Sequence, residues 1–300
     1  MKHILITGGG GQVGLELARV NWGAQIAVHT PSRAELDIAD AGSVVARFAQ
    51  HPYDAVINAA AYTAVDLAED NVGDAFSANA LAPALLADAT RAARIPLIHV
   101  STDYVFDGAK PGPYVENDPV APLGVYGASK LAGEWAVLRG NPRAVILRTA
   151  WVLSAHRSNF LKTMRRLAET RLQIPVVADQ IGCPSSAADI AQALATLTLA
   201  HLDDPRTPTG LYHFVNAGET SWCDLANAIF ALDGDGPLRA VATPITTAQY
   251  PTAARRPANS RLATDKITRD FGVVPRPWRE AVSDIVTELR AGETLRGPTL

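Results

Sequence analysis

The chain has 300 residues, 48% hydrophobic and 19% charged, enough to bury a large core in one or two domains. Its formal net charge of −3 excludes the overall basic character of a nucleic-acid-binding protein. No apolar run approaches the roughly 20 residues that span a bilayer, and Cys183 and Cys223 fit no metal spacing and read as buried free thiols.

The opening "MKHILITGGGG" has one lysine and about four apolar residues, short of a signal-peptide core of ~7–15. A cytoplasmic location is expected. "HILIT" (3–7) reads as a strand that meets a glycine cluster at once. "QVGLELARVNW" then places Val13, Leu17 and Val20 at helical spacing. "QIAVHT" is a second strand, and "AGSVVARFAQ" a helix with Ser43 as its expected N-cap. "DAVINAA" (54–60) is a third strand. An alanine-rich helix covers about 71–94, with Pro83 as a bend. "PLIHVST" (96–102) is a fourth strand, a helix follows over about 126–139, and "AVILRTA" (144–150) is a fifth strand.

These strands are continuous apolar runs alternating with helices, the mark of a parallel sheet covered on both faces. The expected fold is α/β, a Rossmann-type doubly wound parallel sheet with a smaller C-terminal α/β domain. Residues 1–151 form the dinucleotide-binding domain, segments near 176–215 return to it, and 152–300 mainly bind substrate. In that second half, helices are expected near 158–171, 186–202, 221–232 and 276–290. Short strands are expected near 174–178, 211–215 and 238–242.

"TGGGGQVG" follows a strand and opens a helix. Gly8, Gly11 and Gly14 are three apart, and Gly9, Gly11 and Gly14 also fit G-x-G-x-x-G. Glycines here permit a tight turn, close approach to a pyrophosphate and close helix–strand packing. The end of the second strand reads "HTPSR", with no acid to repel a 2′-phosphate. Ser32 and Arg33 favour NADPH, with NADH as the open alternative.

Tyr126 and Lys130 lie four apart on one helix face. A free phenol has a pKa of about 10, and a nearby ammonium lowers it. "HVSTDYVFDG" supplies Ser101 and Thr102 at a strand end, where open α/β sheets bind ligands. A lone Tyr-x-x-x-Lys usually means a solvated face. A glycine loop, a strand-end hydroxyl and Tyr-x-x-x-Lys in that order resemble the extended short-chain dehydrogenase/reductase superfamily. "VINAAAYTAVDLAE" resembles it too, with Asn58 along the cofactor.

The resemblance narrows over nearly the whole chain. "STDYVFDG", "PLGVYGASKLAGE", "VVADQIGCPSSAADIA" and "YPTAARRPANSRL" look like the dTDP-4-dehydrorhamnose reductase family. It implies NAD(P)H-dependent reduction of the C4 ketone of dTDP-4-dehydro-L-rhamnose. Thr102, Tyr126 and Lys130 are then the catalytic set. Gly11, Gln12 and Val13 contact the cofactor, Asp37 and Ile38 lie near adenine, and Ala61, Tyr62 and Thr63 lie on the nicotinamide side. Asp103 and Trp151 match sugar-nucleotide contacts, and Arg256 and Arg261 suit its diphosphate. Some family members dimerise through Mg²⁺-binding carboxylates. Glu16 matches the first position and Glu288 the third, but Ala188 occupies the second, so weak or absent Mg²⁺ binding is expected, in a monomer or homodimer. Other readings are a related nucleotide-sugar reductase or epimerase, or a non-catalytic regulatory subunit of this fold.

Overall fold

The computed structural model describes residues 1–233 and 240–296. Six strands form one all-parallel sheet: β1 (Lys2–Thr7), β2 (Ile26–His29), β3 (Ala55–Asn58), β4 (Leu97–Thr102), β5 (Ala144–Thr149) and β6 (Gly210–His213), in the order β6-β5-β4-β3-β1-β2. The chain leaves β1 toward β2 and then crosses back to β3. The β1/β3 boundary is therefore the point where strand order reverses and where a crevice opens beyond the carboxyl ends.

Alternate residues of these strands enter two cores. Ile4, Ile6, Ile57, Ile98 and Val145 face α1 (Gln12–Leu17) and a later helix, residues 187–203. Leu5, Val56, Leu97 and Ile146 face the opposite side, with Val44 of α2 (Ala41–Gln50). Each fully buried aliphatic side chain contributes roughly 1.5–3 kcal/mol. α2 is capped by Asp40, whose side chain accepts from Ser43 N. Ser43 is thus not the cap; its hydroxyl instead accepts from Asp37 N at 3.1 Å.

The helix expected over 71–94 is divided. α3 (Val72–Phe76) passes through a wider π turn, Ser77–Leu81, into α4 (Ala82–Ala92). Pro83 has no N–H to give to Asn79 O, so an α ladder cannot close there. That carbonyl packs instead against Gly133 of α5 (Val125–Gly140), where a Cβ would stand 2.0 Å from it.

The second half contains α6 (Phe160–Ala168), α7 (Ala187–Asp203), α8 (Trp222–Asp233), α9 (Asp265–Phe271) and α10 (Trp278–Arg296). Gln173–Val177 and Val241–Ile245 pair as a parallel two-stranded sheet. The strand expected at 238–242 therefore starts later, and residues 238 and 239 lie outside the described residues. Leu161, Leu225, Ile229, Trp278 and Val282 form a core of this half, and α7 packs on the main sheet.

Candidate active site

The glycine loop leaves β1 at the reversal point. Gly8 has φ +74°, and a Cβ there would lie 2.5 Å from Ala60 N. A Cβ on Gly14 would lie 2.1 Å from Gly8 O, and Gly11 N donates to Gly8 O at 2.9 Å. The loop can therefore be built only from residues without side chains at those two points. It opens on a cavity of about 840 Å³. Gly8, Gly11, Arg33, Asp37, Ile38, Ala61 and Tyr62 line this cavity.

Gln12, Val13, Gly14, Asn58 and Thr63 do not line it. Gln12 Oε1 accepts from Asn159 and Ser154, tying the loop to the second half. Val13 packs into the sheet core, and Thr63 is exposed. Asn58 is wholly buried and accepts from Thr7 Oγ1 and Ala60 N, which holds the loop's floor.

Three residues that line the cavity or hold its lining were not legible in the sequence. Glu35 lines it and accepts from Ser32 N at 2.7 Å, so an acid does stand near Arg33. Arg33 itself is 88% exposed and 3.7 Å from Asp37. Asn79, wholly buried, clamps the Tyr62 backbone: its Oδ1 accepts from Tyr62 N at 2.8 Å and its Nδ2 donates to Tyr62 O at 3.1 Å. Arg157 donates from Nε to Gly10 O at 2.6 Å, placing a cation beside the glycine loop. Glycines without room for a Cβ, a large cavity and flanking arginines fit a dinucleotide.

β4 and α5 bring the proposed catalytic groups together. Thr102 ends β4, and Tyr126 and Lys130 lie in the first turns of α5. Gly124, at the helix start, offers no side-chain cap; Glu69 Oε1 accepts from Val125 N at 2.9 Å instead. Thr102 Oγ1 donates to Asp103 Oδ1 at 2.9 Å and accepts from Tyr104 N at 3.2 Å. Its one proton is thus spent. The Tyr126 phenol lies next to the same hydroxyl.

Burial pushes the Tyr126 phenol up from its ordinary range, a shift that the Thr102 hydrogen bond opposes and the Asp103 and Tyr104 charges reinforce. Tyr126 is therefore a loaded acid at neutral pH. Lys130 is not among the groups that set this shift. Lys130 is 2% exposed, and its Nζ donates to Val100 O at 2.7 Å and lies 3.5 Å from His99 Nε2. Burial pulls Lys130 down to about 8, against the pull of Glu134. Burial pushes Asp103 up to about 6, while hydrogen bonds from Ser260 and Thr102 hold it down.

Arg256 reaches this cluster. It donates to Tyr104 Oη at 2.9 Å and to Asp66 Oδ2 at 2.6 Å, and the Tyr104 ring packs edge-on against Tyr126. Arg261 is committed elsewhere, to Glu219, Asn259 Oδ1 and Pro111 O. Trp151, at φ +47°, stacks on Trp222 with centroids 3.5 Å apart and lies against Gly182, joining two cores. Glu16 is buried beside Arg19 and His156, and Glu288 pairs with Arg19 at 2.7 Å. Burial raises the Glu16 carboxyl. Among the described residues no cluster of three or more His, Cys, Asp or Glu could hold a metal.

A dTDP-4-dehydrorhamnose reductase from Sinorhizobium fredii is 42% identical over 289 residues, 96% of this chain and 97% of its own. The crystal structure of a dTDP-4-dehydrorhamnose reductase from Clostridium acetobutylicum superposes with a TM-score of 0.89 at 36% identity, covering 96% of this chain and 99% of its own. The Bacillus anthracis enzyme, solved in complex with NADP, also gives 0.89, at 34% identity over 96% of this chain and all of its own. The model of the RmlD substrate binding domain matches residues 1–291, and the chain belongs to that family.

Proposed function

We propose that this chain is a dTDP-4-dehydrorhamnose reductase, which reduces the C4 ketone of dTDP-4-dehydro-L-rhamnose to dTDP-L-rhamnose, the last step of that nucleotide sugar's synthesis. The observation that carries the reading is a phenol, Tyr126, set next to the strand-end hydroxyl of Thr102 at the carboxyl end of the sheet that also carries the glycine loop and a dinucleotide-sized cavity. NADPH supplies the hydride when bound, with NADH as the alternative. The glycine loop, Arg33, Asp37 and Ile38 hold its adenosine and phosphate end, and Ala61, Tyr62 and Lys130 its nicotinamide end.

Tyr126 gives its proton to the ketone oxygen as charge develops there. Thr102 holds the same oxygen by turning its hydroxyl away from Asp103. Lys130 positions the cofactor ribose. Asp103 and Trp151 contact the sugar nucleotide, and Arg256 meets the diphosphate, with Arg261 able to join only by leaving Glu219. Residues 1–151 supply the cofactor site and 152–300 mainly the substrate site. Among the described residues no helix is long and apolar enough to cross a membrane, and a cytoplasmic site of action suits a nucleotide-sugar substrate.

The test is to follow NADPH and NADH absorbance with dTDP-4-dehydrorhamnose. Rapid oxidation that needs the keto sugar supports the reading. No oxidation by a protein that binds NADPH overturns it.

A further inference from the structure

One rung of the sheet is polar from β1 to β4. Thr7, Asn58 and His99 are register partners in turn, Thr7 opposite Asn58 and Asn58 opposite His99. Thr7 is 3% exposed, and Asn58 and His99 have no exposed surface. They lie on the face that carries Leu5, Val56 and Leu97, two residues earlier on each strand. Lys130 of α5 closes the row, with Nζ 3.5 Å from His99 Nε2.

The hydrogen bonds fix every orientation in this row. Asn58 Oδ1 accepts from Thr7 Oγ1 at 2.7 Å and from Ala60 N at 3.1 Å. A backbone N–H can only donate, so that atom is the amide oxygen. Asn58 Nδ2 must then donate to His99 Nδ1, at 2.9 Å. A ring that accepts at Nδ1 carries its proton on Nε2. That N–H faces Lys130.

An ammonium has three donors and no acceptor, so it meets the Nε2–H as donor against donor. A neutral amine differs. It gives one N–H to Val100 O, at 2.7 Å, and its lone pair can accept from His99. A second proton on His99 would sit on Nδ1 and meet the Asn58 Nδ2 donor, and burial and the Lys130 charge hold the imidazole well below its ordinary range. Glu134, on Lys130's own helix, favours the ammonium. Glu134 is itself bound by Arg148 of β5 through two hydrogen bonds, of 2.8 and 2.6 Å. Asp103 and Tyr104, from the turn after β4, bear on Tyr126, the phenol one turn before Lys130.

We propose that His99 is a positioning residue for the reduction: a neutral ring with its proton on Nε2, it meets the Lys130 ammonium donor against donor, favours the amine, and so couples NADPH binding to protonation of Lys130. The inference rests on the reductase reading above. The proton comes from solvent and forms one N–H bond on Nζ; nothing is oxidised or reduced in this step. After the bond to Val100 O an ammonium has two N–H donors left and an amine one, so the acceptor oxygens that NADPH brings favour the ammonium.

Proton uptake on NADPH binding tests it, measured by calorimetry in two buffers of different ionisation enthalpy. With Lys130 near pH 8, the wild type takes up about half a proton per NADPH at pH 8 and almost none at pH 6. Lys130→Met abolishes the uptake. His99→Gln retains an N–H and keeps it; His99→Leu removes the opposing donor and cuts the uptake at pH 8 severalfold. NADPH binding without proton uptake, or an unchanged uptake curve in His99→Leu, overturns the proposal alone. Failure of the wild type to bind NADPH removes the reductase reading with it. Nitrogen-15 NMR of the wild-type histidines gives a check that needs no folded Leu variant. The signal missing from His99→Gln must be an Nε2–H tautomer that does not titrate between pH 5.5 and 9; a titrating or Nδ1–H ring overturns the proposal.

Discussion

Tyr126→Phe removes one oxygen and one proton. The phenol carries a proton at neutral pH and lies next to Thr102. Loss of a positioned general acid costs about 10²–10⁴ in rate, or roughly 3–5 kcal/mol of barrier. The fold should barely notice. Thr102 Oγ1 keeps its bonds to Asp103 and Tyr104 N, and the Phe ring can keep the edge-on contact with Tyr104. One partly exposed hydrogen bond is worth about 1 kcal/mol. At most one hydrogen bond to the cofactor is lost, so NADPH affinity should change less than about tenfold, about 1.4 kcal/mol. The assay pairs kcat, from NADPH absorbance with the keto sugar, with a fluorescence titration of NADPH. A variant with more than a tenth of wild-type kcat would refute the acid role. A variant that loses both kcat and NADPH binding would show that Tyr126 acts by holding the site, not by giving a proton.

Gly14→Ala places a Cβ 2.1 Å from Gly8 O, so the loop must open and NADPH binding should fall below detection while far-UV circular dichroism is kept; tight binding by this variant would contradict the loop geometry. Asp103→Asn should raise stability at pH 7 but not at pH 4, as read by urea denaturation. The sign follows from the raised carboxyl: its protonated form is the one the fold favours below pH ~4, and that advantage is lost as pH rises through about 6, so the Asn variant escapes a cost of up to roughly 3 kcal/mol at pH 7. Equal stability of the two proteins at pH 7 would show that the Asp103 carboxylate is better solvated than its burial implies. Glu134→Gln leaves Arg148, 2% exposed, without its counter-charge and should cost about 3–5 kcal/mol in the same assay; a loss under 1 kcal/mol would mean the guanidinium finds other acceptors.

The sheet was legible because its strands are short apolar runs whose character needs no distant partner. The pair Tyr126 and Lys130 was legible for a similar reason, since one helix face is a local fact. What the sequence hid is what depends on register and burial. The row Thr7, Asn58, His99 exists only once β1, β3 and β4 align, and those residues lie 41 to 51 positions apart along the chain. Arg256 and Arg261 look alike in "RRPANSRL", yet the fold gives one to Tyr104 and Asp66 and the other to Glu219. The π turn at 77–81 follows from Pro83 together with Gly133, which packs in from another helix. Asp40 took the cap from Ser43 because a carboxylate one residue before the helix reaches the free N–H at Ser43, while the serine already lies inside the first turn.

The direction of the Tyr126 shift carries the largest lesson about mechanism. Sequence spacing suggests a lysine beside a tyrosine and hence an easily formed phenolate. The fold separates them into two polar chains. One runs Tyr126, Thr102, Asp103 at the carboxyl end of β4; the other runs Lys130, His99, Asn58, Thr7 through the sheet. A reductase must begin each turnover with the proton on its acid, which any phenol at or above its ordinary range satisfies at neutral pH; a raised phenol is the weaker acid, so it gives up its proton only as negative charge builds on the ketone oxygen. The lysine's charge matters after the proton has left, when a phenolate needs a cation. On this view the two chains are joined only when NADPH brings its ribose between Tyr126 and Lys130. The pH dependence of NADPH binding should then follow Lys130, while the acid role of Tyr126 persists well above neutrality. Coincident alkaline limbs in the pH profiles of NADPH affinity and of kcat would contradict that separation.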